Sequence, residues 1–274
     1  GEENVLSFLE TLSIKLLSKD QKDRRYINFR GFGFWARRSN LESLKRARKD
    51  LEIRFGRGPT LHIAPSNISA NALYTFAFGL LSGCPCIIRL SKRNIEELEA
   101  IIALINELLQ FKEFKNISNK YSFIYYEHQS SLNTELSSSV DARIIWGGDQ
   151  TIQIFKSFTT SSNCIDLVFP DKVSTSILSA NWLISADESE LKNKADLYSR
   201  DIGLFSQMAC SSPSSLILLK DCKDDYSAFL LNFFQKCDSL LSRKEWLSEM
   251  HALSNFKSSI DICMQFPTLN CIYK

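Results

Sequence analysis

The chain has 274 residues, 44% of them apolar, and a formal net charge of +2. That length can bury one large core or two modest ones, and a charge so near neutral argues against nucleic acid as a partner. No run of about 18 apolar residues marks a membrane span, and the start, GEENVLSFLETLSIKLL, is acidic where a secretory signal would be basic.

Residues 1–57 read as an N-terminal helical, charged segment. Two periodic stretches stand out, 4–17 and 32–53, joined by the polar LSKDQKDRRY. Gly31-Phe-Gly33-Phe-Trp-Ala36 formally matches a dinucleotide-loop pattern, but RRYINFR before it is no convincing strand, so the motif lacks its context. The basic run ARRSNLESLKRARKDLEIR reads as a solvated or packing face.

Alternation of strands and helices begins after residue 58. Strands are predicted at 61–64, Cys86–Leu90, 121–126, Ala142–Trp146, 164–169 and 174–184, with helices at 68–81, 95–110, 150–158 and 188–204. The stretch SSLNTELSSS reads as a polar connection. This order predicts an α/β fold with a doubly wound, mostly parallel sheet: a Rossmann-like domain over 58–202. A strand at 215–219 and a helix at 226–241 then begin a second α/β unit, 203–274, whose tail has a mixed pattern.

The chemistry concentrates at a few places. In HIAPSNISANALYTFAFGLLSGCPCIIRLSKR (62–93), a first strand ends in Pro65, Ser66 and Asn67, and a second in Arg89, Ser91, Lys92 and Arg93. Turns at the carboxyl ends of parallel strands are where open α/β sheets bind ligands, and this basic loop suits a phosphate. The plainer alternative is a buried βαβ unit, with Asn67 or Ser69 serving only as a helix N-cap. Gly147 and Gly148, before Asp149, let backbone approach a ligand and open a helix N-terminus to a phosphate, or else form a tight turn.

Eight cysteines, at 84, 86, 164, 210, 222, 237, 263 and 271, include no CxxC pair. Cys84-Pro85-Cys86 is too tight for a zinc site, so the set reads as reduced thiols of a cytoplasmic protein without metal. Cys210, in SQMACSSPSS, sits among small residues at the mouth of a strand, where backbone N–H groups can support a nucleophile. His62, His128 and His251 are scattered, with neither metal nor triad spacing.

Taken in order, GFWARRSNLESLK (33–45), residues 56–93, ARIIWGGDQTI (142–152), DLVFPDKVS (166–174) and ADLYSRDIGLFSQMACSSP (195–213) resemble LuxC-type acyl-CoA reductases, the fatty acid reductases of the aldehyde dehydrogenase superfamily. The resemblance implies an aldehyde dehydrogenase-like cofactor domain and the start of a catalytic domain. Cys210 falls at the acyl-accepting nucleophile, with Gln207 preceding it, and Asn67 at the oxyanion-hole amide. Pro65 and Ser66 fall in the cofactor loop. Arg89, with Ser91 and Lys92 beside it, falls at the adenosine ribose, and Gly147, Gly148 and Asp149 beneath the diphosphate. The implied reaction is NADPH-dependent reduction of a long-chain acyl-CoA or other acyl thioester to an aldehyde, through an acyl-cysteine intermediate. Implied partners are an acyl-CoA or acyl-protein substrate and an acyl-protein synthetase, and full-length relatives are homo-oligomers.

Two departures bear on the chemistry. The aldehyde-oxidising relatives carry a water-activating Glu in a Glu-Leu-Gly-Gly segment, whereas residues 168–172 here read Val-Phe-Pro-Asp-Lys, as suits a reductase. The glycine loop also lacks the later glycine common in the superfamily. Family members run well past the point where this chain stops, so a rival expectation is a truncated, non-catalytic binding or assembly module.

Overall fold

The computed structural model describes residues 3–20, 23–47, 55–172, 174–203, 207, 209–219, 226–244, 260 and 264. The chain forms two compact units, Gly1–Asp171 and Lys172–Lys274.

The first unit is built on five parallel strands: β1 (Thr60–Ile63), β2 (Cys86–Leu90), β3 (Tyr121–Tyr125), β4 (Ala142–Trp146) and β5 (Ile165–Phe169), in the order β3-β2-β1-β4-β5. The chain winds outward from β1 to β3, returns to the other side of β1 with β4, and so reverses between β1 and β4. Helices cover both faces. α5 (Ala70–Leu81) and α6 (Lys92–Leu108) pack on one side; α7 (Leu132–Ser139) and α8 (Asp149–Ser157) contribute to a second cluster with Leu61, Ile63 and Ile145. The predicted doubly wound α/β sheet is therefore present.

α1 (Glu3–Ser18) joins this unit's main core. Its buried stripe of Val5, Phe8, Leu9, Leu12 and Leu16 has helical spacing. Phe8 meets Phe76 and Phe114 edge-on, with ring centroids 6.3 and 5.4 Å apart. α5 is buried nearly all round, and its Gly79 is obligatory: a Cβ there would stand 2.7 Å from Cys86 Sγ.

Local departures from the sequence expectations have identifiable causes. The helix expected over 32–53 is broken: after a single turn of helix, α2 (Arg24–Ile27), come α3 (Arg30–Trp35) and α4 (Arg38–Ala47). Residues 48–54 lie outside the described residues. The rejected glycine motif lies in α3, where Gly33 packs against Leu17. The supposed polar connection 130–139 contains α7. Its buried face includes Asn133 and Ser137, so it carries little apolar periodicity. Lys112–Lys120 form a 3-10 stretch with Phe114 and Ile117 buried.

In the second unit, β6 (Ser174–Ser179) pairs in parallel with β7 (Pro213–Leu219), forming a sheet separate from the first. The strand expected to continue to residue 184 stops at Ser179, whose hydroxyl accepts from the Trp182 N–H and caps α9 (Ala180–Ser185). α10 (Glu188–Gly203) and α11 (Ser227–Lys244) complete the unit around Leu183, Leu191, Ala195, Phe233 and Cys237. The division between units thus precedes the boundary expected after residue 202, because β6 pairs with β7 rather than extending the five-stranded sheet. Most of the mixed tail, with His251, Cys263 and Cys271, lies outside the described residues, as does Cys222.

Among the described residues, no helix is long and apolar enough to cross a membrane, and no group of three or more His, Cys, Asp and Glu side chains is placed to hold a metal.

Candidate active site

Parallel register brings three loops to one edge of the first unit. Ile63 partners both Arg89 and Ile145, so the chain leaves β2, β1 and β4 side by side. The β1 exit is Pro65-Ser66-Asn67, the β4 exit is Gly147-Gly148-Asp149, and the strand order reverses between them. That is the crevice where open α/β sheets receive ligands.

In the β1 exit, the Ile68 N–H donates to Asn67 Oδ1 at 3.0 Å. This bond identifies the oxygen end of the amide and leaves Nδ2 as its donating end. Ser69 ends the loop but makes no side-chain cap to α5; its hydroxyl instead accepts from Asn94 Nδ2 at 3.0 Å. Asn94 is fully buried and closes a capping box with Ser91 at the start of α6, accepting from the Ser91 hydroxyl at 2.9 Å. The β1 and β2 exits are thereby tied together. Asn94 was the residue that motif reading missed, although Ser-x-x-Asn before an apolar-periodic run is a capping signal.

The four polar residues of the β2 exit have different fates. The Ser91 hydroxyl is committed to the α6 cap. Arg93 pairs with Glu97 at 2.8 Å. Lys92 is exposed and has no ionic partner among the described residues. Arg89 is buried, donates from Nη2 to the Tyr126 carbonyl at 3.2 Å, and keeps a buried Nε without a partner.

In the β4 exit, Gly147 has φ +157°, and a Cβ there would stand 3.0 Å from the Thr151 side chain. Gly148 is the N-cap of α8 and offers no side chain to its free N–H groups. The Asp171 carboxylate stands nearby, its Oδ2 2.8 Å from where a Gly148 Cβ would be. Just before this loop, Trp146 stacks on Phe169 of β5, with centroids 4.1 Å apart and planes 10° from parallel. Trp146 Nε1 is buried without a partner.

An unsatisfied buried guanidinium nitrogen and an uncapped helix N-terminus behind two glycines are what a phosphorylated dinucleotide requires. The residues present therefore fit such a cofactor. Asp149 and Asp171 are the exception, because two carboxylates at the cradle oppose a diphosphate.

Elsewhere on the sheet, His62 lies between Thr60 Oγ1 (2.8 Å from Nε2) and Thr75 Oγ1 (2.5 Å from Nδ1). Burial lowers its pKa to about 4 and keeps it neutral. It is a satisfied core histidine. Cys86 is buried as well, its thiol pushed up to about 12 by burial and by Cys84.

In the second unit, Cys210 is exposed in the turn that enters β7. Its carbonyl accepts from the Ser174 hydroxyl, and the Ser212 N–H closes the turn onto the Ala209 carbonyl at 2.9 Å. Gln207, three residues before it, has φ +62°, a left-handed conformation unusual for a residue with a side chain. Its Nε2 donates to the Pro213 carbonyl at 3.0 Å, bracing the turn from both ends. Backbone strain of this kind concentrates at functional loops. Nothing in the sequence announced the strain at Gln207. Cys210 and Asn67 belong to different units.

Comparison with solved structures places the fold. An NAD-dependent aldehyde dehydrogenase from Sinorhizobium meliloti shares 16% identity at a TM-score of 0.62, over 85% of this chain and 49% of that one. An aldehyde dehydrogenase from Brucella melitensis biovar abortus 2308 shares 14% at 0.61, over 86% and 50%. The glyceraldehyde-3-phosphate dehydrogenase GapN from Methanocaldococcus jannaschii, solved with NADP, shares 12% at 0.59, over 85% and 53%. The chain spans about half the length of these structures. A comparison with curated proteins finds no match. A family model for acyl-CoA reductase (LuxC) matches residues 34–243, a span that takes in the crevice loops, the Cys210 turn and nearly all of α11. By that match, the chain belongs to the LuxC acyl-CoA reductase family and carries an aldehyde dehydrogenase-like fold.

Proposed function

We propose that this chain carries the reductive half of an acyl-transfer site: NADPH-dependent conversion of a long-chain acyl-CoA, or another acyl thioester, to its aldehyde. The observation that carries the reading is the exposed Cys210, held at the mouth of β7 in a turn braced by Gln207 and Ser174, inside the family match.

In this reading the Cys210 thiolate attacks the thioester carbonyl. The bond to the leaving thiol breaks, the leaving sulfur takes up a proton, and the acyl group remains on Sγ. The Cys210 backbone N–H stabilises the oxyanion formed on the way, and the Asn67 amide is proposed for the same role. A cofactor would be held by the Pro65-Ser66 turn, by Arg89 with Lys92 at its ribose, and by Gly147, Gly148 and the N-terminus of α8 at its diphosphate. What it supplies when bound is a hydride for the acyl carbon. Residues 168–172 offer no glutamate to activate water, which leaves the acyl group for reduction. An acyl-protein synthetase delivering the acyl group, and assembly of full-length chains into homo-oligomers, belong to the same reading.

The test is intact-mass spectrometry after incubation with palmitoyl-CoA. An adduct of one acyl group, absent in Cys210→Ala, supports the reading. No adduct on a folded chain whose Cys210 still alkylates would favour a non-catalytic module instead.

A further inference from the structure

Arg89, placed at the ribose in the reading above, is paired with a residue that the reading leaves unused, Tyr126. Leu90 of β2 and Tyr125 of β3 are register partners, which places Arg89 and Tyr126 across neighbouring strand ends. The Arg89 guanidinium carbon lies 5.3 Å from the centroid of the Tyr126 ring, and Nη2 donates to the Tyr126 carbonyl. The pair is almost sealed, with Arg89 9% and Tyr126 6% exposed. Among the described residues no carboxylate pairs with Arg89; its Nε is buried without a partner, and so is the Tyr126 hydroxyl. Burial raises the pKa of that hydroxyl, so the phenol stays neutral. Among the described residues, this nearly buried positive charge has no neutralising group, and its Nε has no acceptor. Such a charge is costly unless an anion completes it.

We infer that Tyr126 is a positioning residue for Arg89: ring face and carbonyl together fix the guanidinium plane so that its remaining N–H groups meet a phosphate monoester, and so set the preference for a 2′-phosphorylated dinucleotide. A lysine could not replace the arginine here, because a point charge on a flexible stem gains nothing from a fixed plane. The inference rests on the cofactor reading of this edge.

The experiment titrates NADPH and NADH against the whole chain by fluorescence at fixed ionic strength. Arg89→Ala tests the cofactor reading, and Tyr126→Leu tests the inference. The expected result is that Tyr126→Leu weakens NADPH by about tenfold, with NADH shifted less than about twofold. Tyr126→Phe keeps ring and carbonyl and should retain the full preference. In an Arg89→Lys background, Tyr126→Leu should have no further effect on the ratio. If Tyr126→Leu fails to fold, Tyr126→Met carries the same expectation.

A merely structural tyrosine would lower both affinities together, and that result overturns the inference. So does an unchanged ratio in Tyr126→Leu when Arg89→Ala abolishes the preference. An unchanged ratio in Arg89→Ala overturns the cofactor reading and the inference with it.

Discussion

Arg143 of β4 and Asp166 of β5 are register partners joined by two hydrogen bonds, Nε to Oδ1 and Nη2 to Oδ2, each 2.7 Å. The remaining arm of the guanidinium, Nη1, donates to the Phe155 carbonyl at the end of α8, also at 2.7 Å. One buried arginine thus pins the last strand of the first sheet and the last turn of the helix whose other end faces the crevice. Asp166→Asn or Asp166→Ala strands a buried charge, which costs about 3–5 kcal/mol. Replacing both residues by apolar ones of similar volume should cost much less. Denaturant titration of the single and double variants measures the difference.

Cys210 should alkylate faster with iodoacetamide than the other cysteines of the described residues. Cys84 and Cys164 are half-buried, while burial raises the thiols of Cys86 to about 12 and Cys237 to about 11. Peptide mapping after a short pulse at neutral pH checks this. Preferential labelling of Cys84 or Cys164 would count against Cys210 as the nucleophile.

Asn67→Ala should reduce turnover by about 10²–10³-fold, the usual cost of one oxyanion donor. NADPH affinity should change little, since in the proposed function the amide serves the acyl carbonyl. If turnover per folded molecule is unchanged while stability falls, Asn67 only shapes the loop through its bond to Ile68.

Lys92 and Arg93 should behave differently although they are adjacent. Lys92→Ala removes a cation with no ionic partner among the described residues and should weaken NADPH severalfold, more so at low ionic strength. Arg93→Ala loses a surface pair worth about 0.2–0.5 kcal/mol and should leave binding unchanged. Equal effects of the two substitutions would mean that only general charge matters.

His62 makes acid stability a property of the core. Its folded pKa, about 4, lies below the ordinary 6.5, so between those values the unfolded chain takes up a proton that the folded chain refuses. Its contribution is complete above pH 6.5 and falls as pH drops towards 4, by roughly 3 kcal/mol in all. Denaturation midpoints should decline over that window, and His62→Gln should flatten the decline.

The strands of the sheet were legible because each is a short apolar run ending in turn residues, and Cys86–Leu90 and Ala142–Trp146 occupy the bounds that the pattern predicts. α7 was not legible, since Asn133 and Ser137 occupy positions where an apolar residue would betray a helix. For the site, the loops holding Asn67, Gly147 and Cys210 stood out by residue type alone. The burial of Arg89 and the left-handed Gln207 did not, because each depends on a partner distant in sequence or on a backbone angle. The burial of Arg89, for instance, depends on Tyr126.

The all-parallel topology sets an order of events during synthesis. β1 pairs with β2 within one short crossover, whereas its other partner, β4, emerges only after β2, α6, β3 and α7. On the ribosome, the β3-β2-β1 half can therefore collapse with α1, α5 and α6 while the β4 side of β1 still lacks a neighbour. Long-range parallel pairing of this kind is slow, and an unpaired strand edge invites intermolecular pairing. Refolding yield should thus fall with protein concentration more steeply than native stability alone would indicate, and a nascent chain stalled before residue 142 is the form most in need of a chaperone.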